Sequence, residues 1–101
     1  MSVARSQQIF NESRFIERAA AGELTEHVAS SHLAPPKAGM PPGTLSQIIA
    51  YRDQKGDELA SAHRYLKPDG TLGASGMPDP KSVMVNGVLH TAWWGTRIGN
   101  L

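Results

Sequence analysis

Four histidines, His27, His32, His63 and His90, are the side chains of this 101-residue chain best suited to move protons near neutral pH. His27 and His32 lie five positions apart, off the i, i+4 spacing of a helical metal pair, and no H-E-x-x-H pattern occurs. They read as surface positions, and no metal or cofactor site is assigned. His63 sits in A-H-R-Y-L, where strand alternation puts it on one face with Ser61 and Tyr65 and sends Arg64 to the other. His90 shares a face with Val83, Val85 and, further along, Lys81. On an open sheet face, such a set has the parts for metal-independent RNA cleavage. His63 would take the 2′-hydroxyl proton, while Lys81, His90 or Arg64 steadies charge on the phosphate. Arg64 would need a bulge to join His63. The competing account makes His63 and His90 half-buried strand residues with ordinary hydrogen bonds.

The aromatic residues suggest contact rather than catalysis. Trp93 and Trp94 are adjacent, so on a strand they point to opposite faces and one remains available beside Arg97. Tyr51 and Tyr65 are expected on the His63 face. Together these five residues make a candidate interface for a protein partner or a base. A pocket between helix and sheet, lined by Ile49, Tyr51, Tyr65 and a Trp, is a further expectation. Gly70, Gly73 and Gly76 lie near Lys67 and Lys81, but no helix follows them to cradle a phosphate. They read instead as turn and close-approach positions.

These residues need a frame. Lys plus Arg number 10 and Asp plus Glu 9, so the net charge of +1 creates no global pull toward nucleic acid or membrane. Contact with nucleic acid would depend on local clustering. No apolar run reaches the ~18 residues of a membrane span, and with no cysteine the default is a cytoplasmic protein.

The fold class read from the pattern is α+β, a single domain with an N-terminal helical segment packed on a four- to five-stranded antiparallel meander. Residues 1–34 favour helix: a first helix carries Ile9, Ser13, Ile16 and Ala20 on one face and ends at Gly22. Thr25 caps a second, shorter helix bearing Val28, Ala29 and Leu33. Residues 35–43, P-P-K-A-G-M-P-P-G, form a linker that neither helix nor inner strand continues through. The sheet occupies 44–94 and a tail 95–101. Within it, D-Q-K-G-D turns the chain so that Arg52 faces Glu58, Ile49 faces Ser61 and Gln47 faces His63. K-P-D-G-T makes a type I turn into a strand T-L-G-A-S-G, and M-P-D-P then interrupts the ladder. Asn86-Gly87 closes a hairpin pairing Val85 with Val88, Met84 with Leu89 and Val83 with His90.

The block H-R-Y-L-K-P-D-G-T-L-G-A-S-G-M-P-D-P-K, His63 to Lys81, resembles a segment of short uncharacterised bacterial proteins. The resemblance covers about a fifth of the chain and implies turns, not an activity. The function expected is a small binding or protein-interaction module of bacterial or mobile-element type. Its partner would be another protein or, as a homodimer, a second copy. A toxin-like endoribonuclease and a small-ligand pocket are the alternatives.

Overall fold

The computed structural model describes residues 1–73, 76 and 78–91. Two short helices, α1 (Val3–Glu12) and α2 (Phe15–Ala20), precede five strands: β1 (Thr25–Leu33), β2 (Leu45–Arg52), β3 (Glu58–Leu66), β4 (Asp79–Val85) and β5 (Val88–Thr91). The strands pair in chain order, all antiparallel, so the sheet is a five-stranded meander with helices on one face. The α+β expectation holds.

The first helix is broken where the sequence suggested continuity. Ser2 caps α1, its Oγ accepting from Arg5 N at 3.1 Å. Arg14, at φ 56°, is left-handed and separates α1 from α2. The break has a packing reason. In an uninterrupted helix, residues five apart point about 140° away from one another. With it, Phe10 and Phe15 both turn to the sheet and meet Tyr51, with ring centroids 5.3 Å (Phe10–Phe15), 5.7 Å (Phe10–Tyr51) and 5.9 Å (Phe15–Tyr51) apart. Ile49, Ala60, Ala62, Val83 and Leu24 complete the buried cluster, and Ile9 and Ile16 pack at its margin. The helix-to-sheet space expected to hold a ligand is filled by these rings.

The second expected helix is a strand. Residues 25–33 form β1, paired with β2 along its whole length. Thr, Val, Ser and His are weak helix formers, and β2 is buried on both faces at Ile49, Ala50 and Tyr51, the environment of an inner strand. Such a strand needs a neighbour on each side, and β1 is the second one. Gly22, at φ 85°, ends α2 as expected and turns the chain toward β1.

The turns hold closely. Asp53 Oδ1 accepts from Lys55 N and Asp57 N, and Asp69 Oδ1 from Thr71 N, fixing the two loops. Asn86 and Gly87, both at positive φ, close the β4–β5 hairpin with all three expected pairs. T-L-G-A-S-G is not a paired strand over its described residues: Leu72 makes an isolated bridge to Leu66. Gly73 lets the 35–43 segment approach closely, since a Cβ there would fall 2.5 Å from Met40 Sδ and the Met40 side chain would have to move. That segment carries one 3-10 turn, Pro36–Ala38. M-P-D-P does not exclude a strand either. β4 begins at Asp79, with Pro80 buried opposite Ala62 near the strand's start, where a missing donor is tolerated.

The core yields a contrast in urea unfolding. Phe10→Ala should lower stability by about 3–5 kcal/mol, the cost of a large cavity. Tyr51→Phe should raise it by about 1 kcal/mol, because the buried Tyr51 hydroxyl has no hydrogen-bond partner among the described residues. A loss in Tyr51→Phe would contradict that account.

Candidate functional site

Bulges decide which side chains meet. Between β2 and β3 the register shifts after Tyr51, so Arg52 faces Glu58 as expected but Ile49 faces Ala62 and His63 faces Ile48. Leu59 is the extra residue. Gln47 therefore pairs with Arg64, not His63, and Tyr51 pairs with Ala60 on the helix-covered face. Tyr51 is fully buried there, which corrects its expected place in an open interface. Burial, with Glu26 adding to it and Arg64 opposing, pushes its phenol up to about 12.

The predicted catalytic residues divide between the two faces. His90 pairs with the core residue Val83, so it lies on the helix side. Arg64 is on that side too, its Nε donating to Gln47 Oε1 at 2.9 Å and its Nη1 to Glu26 Oε1 at 3.3 Å. Gln47 Nε2 in turn donates to Ser31 Oγ at 3.2 Å. Arg64 thus links β3 to β2 and β1 and does not join His63.

His63 occupies the face opposite the helices with Tyr65, as alternation required. Its ring meets Tyr65 edge-on at 4.7 Å, and its Nε2 lies 2.8 Å from Ser46 Oγ. Asp79 is its cross-strand neighbour on β4. Lys81 is the extra residue where the β3–β4 register shifts, and its charge acts on His63. Burial first, then Lys81 and His32, lower the His63 pKa, while Asp79 opposes them. The imidazole is therefore held toward its neutral form. Ser46 was missed at the sequence level because the Leu59 bulge moves His63 by one position, and Asp79 because M-P-D-P was expected to interrupt the ladder. Trp93, Trp94 and Arg97 lie outside the described residues. Among the described residues, no three His, Asp or Glu side chains are grouped to hold a metal ion.

The third feature is β1 itself. All nine of its residues are exposed, with Val28 46 % and Leu33 69 % accessible. The helices cover β2 to β4 and stop short of it. Among the described residues no strand pairs with its outer side, so one row of its backbone donors and acceptors faces outward. Its sequence, T-E-H-V-A-S-S-H-L, contains no Lys, Arg or Pro to guard that edge. Its one charge, Glu26, is turned to Arg64, and its backbone is interrupted by a bulge at Ala29, the residue left over between Val28 and Ser30.

The His63 environment sets a pH dependence. An imidazole whose folded pKa is lowered leaves the unfolded chain to bind the proton first as pH falls. Stability is then lost from the ordinary histidine range, about 6.5, down to the folded value. Thermal unfolding from pH 7.5 to 5 should show a steeper fall in Tm for the wild type than for His63→Gln. Parallel slopes would remove His63 as the source.

No protein-family model, curated protein or solved structure matches this chain.

Proposed function

We propose that this protein is a small interaction module that binds through the free edge of β1, accepting an extended segment of another chain as an added strand. The observation that carries the reading is an exposed nine-residue edge strand without Lys, Arg or Pro, whose one charged side chain, Glu26, is paired with Arg64 within its own sheet. Backbone donors and acceptors on such an edge supply affinity, and alternate side chains on the incoming strand supply selectivity. Val28 and Leu33 offer apolar contact on the helix side, Ser30, His27 and His32 polar contact on the other.

A second reading draws on the face opposite the helices. His63, biased toward its neutral form beside Tyr65 and Lys81, has the character of a general base for RNA cleavage. Against it, Nε2 is already engaged by Ser46, and neither His90 nor Arg64 shares the face. The edge reading is the stronger of the two.

For the edge, random nine-residue peptides displayed at low density are selected on the wild type and on Val28→Lys/Leu33→Lys. Both positions are exposed, so the variant should keep the wild-type circular dichroism spectrum. Enrichment of peptides carrying a short alternating apolar–polar stretch on the wild type, lost at least tenfold on the variant, is the expected outcome. Equal recovery on both, or none on either, would sink the reading. For the second reading, total RNA after induced expression should be fragmented by the wild type and intact with His63→Ala. RNA intact in both strains would remove the ribonuclease.

A further inference from the structure

Resting on the edge reading, we infer that the strand which fits β1 is β1 of a second copy, so that two sheets join edge to edge about a two-fold axis. The argument turns on the bulge. β1 consists of two arms, Thr25–Val28 and Ser30–Leu33, separated by Ala29. Pairing with β2 puts Glu26 and Val28 on the helix side with Tyr51 and Ile49, and after the bulge Ser31 and Leu33 with Gln47 and Leu45. His27, Ser30 and His32 lie on the open side. The phase of alternation therefore differs by one residue between the arms.

A smooth incoming strand can match one arm but meets the other out of phase, since a one-residue slip reverses every side chain. A partner with a compensating bulge one residue from the facing position stays in phase along both arms. A second copy, turned end for end, carries that bulge by symmetry. In a regular strand a two-fold pairing must sum to an even number, so that opposed residues share a face. Here the bulge makes the odd sums correct. Two registers satisfy it. In one, His27 faces His32 of the second copy and Val28 faces Ser31; in the other, Thr25 faces His32 and Glu26 faces Ser31. In both, the single carboxylate of β1 avoids its own image. The contact is also isologous and closes at two chains, unlike a head-to-tail joining of different edges.

An edge contact of this length belongs among small, weak interfaces, so the dimer is expected to depend on concentration. The absence of cysteine makes its register directly readable. Double variants His27→Cys/His32→Cys and Thr25→Cys/His32→Cys each report one odd register, and His27→Cys/Ser31→Cys reports the even one. All these positions are exposed, and each variant is checked for the wild-type circular dichroism spectrum in reductant. Within one chain these pairs are too far apart on an extended strand to bridge. At high micromolar concentration under mild oxidation, one odd-register pair should give mostly covalent dimer, released by reductant. The even pair and the single-cysteine variants should give no covalent dimer, because no residue faces itself in an odd register.

Covalent dimers formed equally by the even pair or by single cysteines would overturn the inference. So would a wild type that remains monomeric by light scattering at high micromolar concentration while no pair crosslinks, or one that dimerises while no pair crosslinks. If peptides are still selected on the wild type and lost on Val28→Lys/Leu33→Lys, only the second-copy inference falls and the edge reading stands. If selection fails as well, both fall.

Discussion

The contact among Phe10, Phe15 and Tyr51 is the constraint on which the rest of the structure depends. Three rings within 6 Å of one another fasten two short helices to the middle of the sheet, over Ala60, Ala62 and Val83. Neither helix is long enough to be stable alone in water. Their stability comes from what they cover, and the left-handed Arg14 gives both phenylalanines access to the same surface. Because small residues on β3 lie beneath the rings, the helices settle closely there. They cover the sheet's centre and leave β1 outside.

That leaves β1 held mainly by its backbone ladder to β2, supplemented by a polar bracket. Glu26 and Ser31, on either side of the bulge, are tied through Arg64 and Gln47 to β3 and β2. Arg64 keeps only a partly exposed side chain in that bracket, with Glu26 more exposed, so the ion pair itself contributes modestly. Its larger consequence is positional. Both arms of β1, on either side of the bulge, are tied to the inner strands by side chains as well as by the ladder.

Much of this was legible in the residues, where the signal was local. Asn86-Gly87 named its hairpin and all three pairs because a two-residue turn at positive φ permits little else. Asp53 and Gly56, Pro68 and Gly70 likewise marked their loops. What was not legible depended on distant partners. Thr25–Leu33 looked like a continuation of the helical segment, and only the double burial of β2 demands a strand there. Ile49-Ala50-Tyr51, a run apolar on consecutive positions, was the signal available for that demand. The pairing of His63 with Ser46 was hidden for a different reason: Leu59 adds one residue after a correctly placed turn, and every facing pair beyond it shifts.

Bulges therefore govern this sheet's chemistry more than any motif does. At Leu59 one extra residue gives His63 a hydroxyl partner and sends Tyr51 into the core. At Lys81 another lets a short strand begin with Asp79 and Pro80 and still present Ser82 to Ser61, whose hydroxyls meet at 2.6 Å. Inside the sheet such an irregularity is matched by its neighbours and disappears into the packing. At Ala29, on the edge, nothing described matches it. An unmatched bulge commonly protects an edge by making it a poor template for smooth strands. The same feature is selective rather than merely protective when the incoming strand has an equal defect one residue from the facing position. On the edge reading, the irregularity that rejects most extended chains is also what makes β1 complementary to itself.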